Sequence, residues 1–221
     1  MRPVAVLFAK APVPGRVKTR LCPPLDAGAA ADLHSAFVRD MISSATHLAK
    51  TVDLELSTDI VTEAWPDVLT ARSVQAGGDL GSRLLHALTR AVAEGRPKAV
   101  VMGTDSPGLP VANIEKLLAL DSDVSVGPTD DGGFYAIACR RVHTNMFRDV
   151  RWSVACTLDD TVRAVTACGL SVEIGPRWFD IDTIDDLIRL AGAESLPTNT
   201  RQWLSSKGGL LGPASEKKFR A

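Results

Sequence analysis

Residues 4–21 read VAVLFAKAPVPGRVKTRL, and they contain a strand followed by a strongly basic loop. The first part, Val4 to Phe8, is an apolar run with the length of one buried strand. The second part holds four cations, two prolines and a glycine. In open α/β sheets, ligands bind just beyond the carboxyl ends of the strands. The stretch therefore predicts a phosphate-binding loop at the end of a buried parallel strand, with a solvated basic loop as the alternative.

The residue types in this basic loop, residues 10–21, suit phosphate recognition. Backbone N–H groups near a glycine can surround phosphate oxygens, and Lys or Arg side chains neutralise their charge. The loop therefore supplies five candidate nucleotide-binding residues, which are Lys10, Gly15, Arg16, Lys18 and Arg20.

Composition narrows the classes of protein to consider. A chain of 221 residues with 45% hydrophobic residues can bury one sizeable core as a single domain. The net charge of -1 argues against a nucleic-acid binder held by bulk electrostatics. The sequence shows no signal peptide, no apolar segment near the roughly 18 residues of a membrane span, and no metal-ligand spacing among its four cysteines. We therefore expect a cytoplasmic protein, a monomer or homodimer, whose partners are small molecules.

Short apolar runs alternate with amphipathic stretches along most of the chain, and this pattern is typical of an α/β fold. For example, residues 26–50 carry apolar side chains at helical spacing, with Asp26 as the expected N-cap. The pattern predicts a mostly parallel mixed sheet flanked by helices. We expect one domain over residues 1–192. Residues 193–221, which end in a segment rich in Gly, Ser and Lys, are expected to form a loosely packed or partly disordered extension.

Acidic residues follow two further predicted strands. Asp105 comes directly after the apolar run Ala99–Met102, and Asp180 and Asp182 lie on one side of an extended segment. Mg²⁺ is usually held by one or two carboxylates together with phosphate oxygens, so Asp105 and Asp182 are the candidate ligands for Mg²⁺ or Mn²⁺. The alternatives are an ordinary turn at Asp105 and a helix N-cap at Asp182 or Thr183.

Two glycine-containing turns add candidates for the other parts of a substrate. Residues 130–133, Asp-Asp-Gly-Gly, suit an acceptor site in which a carboxylate serves as general base, although an ordinary hairpin turn has the same residues. We therefore expect Asp130, Asp131, Gly132 and Gly133 to bind the acceptor. The turn before the helix that begins near residue 79 could hold a base or an anion, and Asp79 as an N-cap is the alternative. The candidate nucleotide-binding residues of this turn are Gln75, Asp79 and Arg83.

Together these segments resemble a bacterial family in the GT-A superfamily, which has the nucleotide-diphospho-sugar transferase fold. The likeness covers roughly residues 1–192 and rests on five blocks in order. The blocks are FAKAPVPGRVKTRL (8–21), GGDLGSR (77–83), MGTDSPGLP (102–110), GPTDDGGFY (127–135) and FDIDTIDDL (179–187). Members of this family are named as glycosyltransferases without assigned reactions. Residues 18–21 are also similar to the first loop of the small nucleotidyltransferases that guanylate phospholactate or molybdopterin.

The resemblance implies a Rossmann-like sheet that binds a nucleotide over its first half and an acceptor over its second half. It implies that Asp105 matches the last acid of the family's D-x-D metal motif and that Asp182 matches the second metal ligand of nucleotidyltransferases with this fold. Gly103 stands where the first acid of the D-x-D motif would be. The chain therefore departs from the usual metal-binding motif of glycosyltransferases.

Three functions are consistent with these residues. Four cations in one loop suit a triphosphate, which favours a nucleotidyltransferase. The candidate catalytic residues of the site are Lys18, Asp105 and Asp131, and Asp130 or Asp131 would be the acceptor base of a glycosyltransferase. The family name favours a glycosyltransferase that uses a nucleotide-diphospho-sugar and an acidic acceptor base. A regulatory protein that binds a nucleotide without turnover is the third hypothesis, and two intact metal-binding acids argue against it.

Overall fold

The computed structural model describes residues 1–67, 71–193 and 195–207. Over these residues the chain forms one seven-stranded sheet with α-helices on both faces. The strands are β1 (Val4–Ala9), β2 (Asp53–Thr58), β3 (Ala71–Val74), β4 (Ala99–Gly103), β5 (Val124–Pro128), β6 (Phe134–Cys139) and β7 (Val172–Ile174). The α-helices are α1 (Ala27–Ala45), α2 (Leu80–Ala93), α3 (Val111–Ala119), α4 (Thr157–Ala167), α5 (Ile184–Ala191) and α6 (Thr198–Lys207).

The strand order is β3-β2-β1-β4-β6-β5-β7, and only β6 runs antiparallel to its neighbours in the sheet. β1 lies between β2 and β4 and is parallel to both. This position explains its continuous apolar sequence, because a central strand is covered on both faces. The predicted α/β class with a mostly parallel mixed sheet is confirmed.

Two hydrophobic clusters cover the two faces of the sheet. On one face, Met41 of α1 and Leu117 of α3 pack on alternate residues of β1 and β4. On the other face, Leu88 of α2 and Val165 of α4 pack on the intervening residues. The alternation of side chains along a strand divides each apolar run between these two layers.

The two crossover helices beside β1 lie on opposite faces of the sheet. α1 follows β1 on one face, whereas α2 precedes β4 on the other. A crevice forms at such a topological switch point, outside the carboxyl ends of the strands. Phe8 pairs with Gly103 at the ends of β1 and β4, so the basic loop and Asp105 leave the sheet side by side.

The C-terminal segment corrects one expectation from the sequence. Residues 193–221 are predicted to be a loose extension, but α6 packs against α1 and buries Trp203 and Leu204. The Asp40 carboxylate of α1 also accepts hydrogen bonds from the backbone N–H groups of Asn199 and Thr200, each at 2.8 Å. The prediction is wrong for this helix, and its part for residues 208–221 lies outside the described residues.

Within the described ranges, no helix has both the length and the apolar character to cross a membrane.

Candidate functional site

The exit of β1 is held by side chains from two other elements. Gln75, just after β3, donates from its side-chain amide to the Ala9 carbonyl at 3.2 Å and to the Ser57 carbonyl at 3.0 Å. His34 of α1, which is 3% exposed, donates from Nε2 to the Lys10 carbonyl at 2.9 Å. These bonds fix the direction in which the basic loop leaves the sheet.

A third contact holds the next residue of the loop. The backbone N–H of Ala11 donates to Oδ1 of Asp59 at 2.7 Å, and Asp59 follows directly after β2. The loop therefore begins as a rigid platform. Preorganised positioning of this kind is what phosphoryl-transfer sites require.

Lys18 is the most buried cation of the basic loop. Its side chain is 5% exposed, and its ammonium lies 2.7 Å from Oδ1 of Asp105 and 3.2 Å from Oδ1 of Asp182. It also donates to the Ile181 carbonyl at 2.7 Å. The ammonium thus joins the two carboxylates that the sequence indicates as metal ligands.

The charges of this cluster shift its proton equilibria. Burial acts to lower the pKa of Lys18, but the charges of Asp105 and Asp182 outweigh burial and raise that pKa above its usual value. Burial acts to raise the pKa of Asp105, and the Lys18 charge and hydrogen bond overcome it and hold that pKa below its usual value. Lys18 is therefore a cation, and Asp105 an anion, at neutral pH.

The remaining cations of the loop fall into two groups. Arg20, whose side chain is 65% exposed, reaches Oδ2 of Asp182 at 2.9 Å. Lys10 and Arg16 are exposed, and neither forms an ion pair within the described residues. Gly15 lies in the left-handed region with φ of 78°, which turns the loop, and the space around its Cβ position is open.

Asp182 belongs to this site and does not cap α5. The N-cap is Thr183, which forms a capping box with Asp186. Residues 178–183 run across the carboxyl ends of β5 and β4, since Trp178 donates to the Pro128 carbonyl and Ile181 to the Asp105 carbonyl. This return of the chain brings Asp182 to Lys18.

The acidic turn at residues 130–133 is held by local contacts. Oδ1 of Asp131 accepts a hydrogen bond from Oγ1 of Thr129 at 2.5 Å and another from the Gly133 N–H at 2.9 Å. Asp130 forms an ion pair with Arg189 at 2.7 Å. Oδ2 of Asp131 has no hydrogen-bond partner among the described residues.

Gly132 fixes the position of this turn. Its φ is 87°, and a Cβ built on it would lie 2.0 Å from the Ala155 carbonyl oxygen. The Gly132 carbonyl accepts from the Leu158 N–H at 2.9 Å, which ties the turn to the start of α4. Only glycine combines this backbone conformation with this close approach.

Asp180 lies electrostatically between the two acidic groups. Burial, together with the charges of Asp131 and Asp182, raises the pKa of Asp180 to about 6. Next to it, the Arg189 guanidinium lies 3.9 Å from the ring centroid of Phe179. The charges of both acidic groups therefore act on the Asp180 carboxyl.

In the turn before α2, two candidates have local structural contacts. Asp79 is the N-cap of α2, because its Oδ1 accepts from the Ser82 N–H at 2.9 Å. The guanidinium of Arg83 donates to the Gly78 carbonyl at 3.1 Å and lies 3.5 Å from Oε1 of Gln75. Gln75 and Arg83 therefore lie together beside the carboxyl end of β1, whereas the Asp79 carboxylate caps α2.

The donor set at Asp105 and Asp182 fits a hard divalent cation. The described residues contain no cluster of three or more His, Cys, Asp or Glu side chains able to hold a metal by themselves. Mg²⁺ and Mn²⁺ do not need one, because they commonly take one or two carboxylates and complete their shell with phosphate oxygens and water. Asp105 and Asp182 already share one cation, the Lys18 ammonium, so they face a common point.

Sequence reasoning missed three residues of this region. His34, Asp59 and Arg189 contact the loop or the acidic turn only through chain segments that are distant in sequence. Helical spacing places His34 on the inner side of α1, and Asp59 is the first residue after a strand. Both positions can be read from the sequence, but neither indicates that His34 contacts Lys10 or that Asp59 contacts Ala11.

The comparisons with known proteins agree with this fold. Residues 40–154, more than half of the chain, match the DUF2064 family, described as "Uncharacterized protein conserved in bacteria". The chain belongs to this family. Among curated proteins, none matches the chain.

This DUF2064 chain is also similar to solved structures. It shares 30% identity with a "putative nucleotide-diphospho-sugar transferase" from Desulfovibrio desulfuricans G20, with a TM-score of 0.84 and coverage of 95% of this chain and 96% of the other. A cytidylyltransferase from Leptospira borgpetersenii serovar Hardjo-bovis matches at 13% identity and a TM-score of 0.55, over 96% and 97% of the two chains. A nucleotidyl transferase from Methanothermobacter thermautotroptrophicus matches at 15% identity and a TM-score of 0.56, over 85% of this chain and 95% of the other. The last two likenesses show the fold alone. The nucleotide-diphospho-sugar transferase fold inferred from the sequence is confirmed.

Proposed function

We propose that this DUF2064 protein is a metal-dependent nucleotidyltransferase that acts on an NTP and a small acceptor carrying a phosphate or a hydroxyl group. The observation that carries this proposal is the meeting of Lys18 and Arg20 with Asp105 and Asp182 at the edge where β1 and β4 end. Both signs of charge are needed where a metal and a polyphosphate bind together.

In this proposal the basic loop holds the triphosphate. Lys10 and Arg16 are exposed and available, and Lys18 and Arg20 join them when they leave the carboxylates. The Gly15 turn lets the backbone approach the phosphate oxygens. Asp105 and Asp182 would hold Mg²⁺ or Mn²⁺, which when bound would neutralise charge on the phosphate oxygens.

The acceptor oxygen attacks the α-phosphorus, the bond between this phosphorus and the β-bridging oxygen breaks, and pyrophosphate leaves with the electron pair. Asp130, Asp131, Gly132 and Gly133 form the acceptor side. A hydroxyl acceptor must lose a proton, and we assign this proton to Oδ2 of Asp131, because the hydrogen bonds of Asp131 within the described residues use Oδ1. A phosphate acceptor is already ionised and needs no base.

The nucleoside is assigned to the turn between β3 and α2. Gln75 and Arg83 lie together beside the exit of β1, so their side chains are close to a base or ribose whose phosphates rest on the loop. Asp79 contributes there only by capping α2. The formal net charge of -1 agrees with small-molecule partners rather than a nucleic acid.

A glycosyltransferase is the second candidate, and the similarity to the Desulfovibrio protein favours it. Its donor would be a nucleotide-diphospho-sugar, and the leaving group would be a diphosphate. Four loop cations exceed what a diphosphate requires, and Gly103 replaces the first acid of the D-x-D motif. Both features favour the nucleotidyltransferase.

Calorimetry with each common NTP, its NDP and the corresponding nucleotide sugars, at fixed salt and Mg²⁺, tests the choice. We expect the NTP to bind more tightly than the NDP and the NDP more tightly than the sugar nucleotide, since each added phosphate brings another charge-assisted contact. Tighter binding of a nucleotide sugar than of its parent NTP would make the protein a glycosyltransferase.

Two variants make the assay specific to the loop. Arg20→Ala should narrow the difference between NTP and NDP affinity more than it changes sugar-nucleotide binding. Lys116→Ala is the control, because Lys116 is an exposed cation in the last turn of α3, away from the carboxyl ends of the strands. Equal effects of the two variants would remove Arg20 from the phosphate site.

A further inference from the structure

We infer that Lys18 and Arg20 act as substitute cations in the free protein: they occupy the carboxylates that a metal would take, so the site accepts metal and polyphosphate as a pair. This inference rests on the proposed function and describes how the same site is controlled. It concerns the exchange of partners between four charged side chains.

The surroundings of the Lys18 ammonium resemble a coordination shell. An ammonium has three N–H donors, and the structure places three oxygen acceptors around this one: Oδ1 of Asp105, Oδ1 of Asp182 and the Ile181 carbonyl. The contacts are 2.7, 3.2 and 2.7 Å long. All three oxygens are of the kind that hard cations bind.

The backbone conformation of Lys18 indicates that contacts around it fix the position of its ammonium. Lys18 has φ of 47° and ψ of 36°, in the left-handed region that non-glycine residues rarely occupy. Such a conformation persists only where the surrounding contacts determine it. Here they direct the side chain inward, where its ammonium lies 5.8 Å from the centroid of the Phe37 ring.

The cations and carboxylates that contact one another in this cluster are paired within the protein. Lys18 and Arg20 neutralise Asp105 and Asp182, and each oxygen of Asp182 already has a cationic partner. A metal ion that arrives alone must displace Lys18 from two carboxylates. A polyphosphate that arrives alone must attract Lys18 and Arg20 away from carboxylates that then remain unpaired. When both arrive, each ligand takes the partners that the other releases, so their binding is mutually favourable.

Two single-ligand titrations test this exchange without knowledge of the nucleobase. In the first, Mn²⁺ alone is titrated into metal-free protein and followed by electron paramagnetic resonance. Lys18→Met keeps an apolar stem near Phe37 and removes the substitute cation, so we expect it to bind Mn²⁺ about tenfold more tightly than the wild type. Lys116→Met is the control, because Lys116 is an exposed cation in the last turn of α3 that forms no ion pair within the described residues, and its Mn²⁺ affinity should be unchanged.

In the second titration, inorganic tripolyphosphate is added in the presence of EDTA. Asp182→Asn removes the charge that holds Lys18 and Arg20, so we expect it to bind tripolyphosphate several-fold more tightly than the wild type. Asp185→Asn is the control, because Asp185 is an exposed carboxylate in the first turn of α5 that contacts neither cation within the described residues. A carboxylate that merely repelled phosphate at long range would give both variants similar gains.

The outcomes separate this inference from the proposed function. If the wild type binds Mn²⁺ and tripolyphosphate but Lys18→Met does not gain affinity for Mn²⁺, the inference is wrong and the proposed function stands. If neither ligand binds any variant, both are wrong. If Lys18→Met fails to fold, Arg20→Gln replaces it. Among the described residues this exposed cation forms an ion pair with Asp182 alone, so its loss should strengthen Mn²⁺ binding about twofold; no gain there overturns the inference.

Discussion

The two acidic pairs of this protein, Asp105 with Asp182 and Asp130 with Asp131, differ in what their carboxylates contact. The first pair is distant in sequence, and both members face one cation from a third segment. The second pair is adjacent in sequence. One member stabilises its own turn and the other pairs with a surface arginine.

This difference indicates separate tasks for the two pairs. Asp105 and Asp182 share the buried Lys18 ammonium, and in the proposed function both would bind the metal. The contacts of Asp131 with Thr129 and Gly133 stabilise the turn through Oδ1, and in the proposed function Oδ2 would act as the general base. We therefore expect substitutions in the first pair to affect catalysis broadly and substitutions in the second pair to affect the acceptor.

The largest effect is expected for Asp105→Asn. The amide keeps the side-chain shape but removes a charge that both the metal and Lys18 require, so the transfer rate should fall about 1000-fold. Pyrophosphate release with saturating NTP and Mg²⁺ measures it, and thermal melting checks the fold. Activity within tenfold of the wild type would place the metal elsewhere.

Asp131→Asn should have the next largest effect, and one that depends on the acceptor. The asparagine can keep the turn, since its side-chain oxygen can still accept from Thr129 and Gly133. With a hydroxyl acceptor the rate should fall about 100-fold, because the general base is lost. With a phosphate acceptor it should change less than about threefold. Equal losses with both acceptor types would contradict the assignment of Asp131 as a base.

Gly132→Ala should destabilise the protein by about 2–4 kcal/mol, because the methyl group would overlap the Ala155 carbonyl in a backbone conformation that alanine disfavours. Urea unfolding measures the change. Gly15→Ala is the matched control, since Gly15 also has a positive φ but has open space around it. Its cost should be about 1 kcal/mol. If the two variants lose equal stability, the contact with Ala155 has no energetic role.

The smallest effect is expected for the contribution of His34 to the pH dependence of the free energy of unfolding. Burial lowers the pKa of His34 below its usual 6.5, so the unfolded chain binds a proton at mildly acidic pH that the folded chain resists. The free energy of unfolding should therefore decrease as the pH falls below about 6.5. Protonation would also create a buried donor at Nδ1, which has no partner. His34→Gln should flatten this part of the pH profile, and an unchanged slope would show that another group causes it.

Several elements were predictable from local patterns. The apolar run of β1 and the helical spacing of α1 with its Asp26 cap follow from residues close together in sequence. α6 was missed because its sequence is polar and its stability comes from contacts with α1. Those contacts include hydrogen bonds to Asp40, more than 150 residues earlier.

The sequence by itself determined the α/β class, the basic loop and the identity of the acidic residues at strand ends, because hydrophobic periodicity and turn chemistry are local properties. Only the tertiary structure decided which of these charges meet. Lys18 and Arg20 reach Asp182 because residues 178–183 return across the ends of β5 and β4, and Asp182 is free to meet them because Thr183 caps α5. The pairing of charges depends on where distant segments cross, and no pattern of neighbouring residues contains that information.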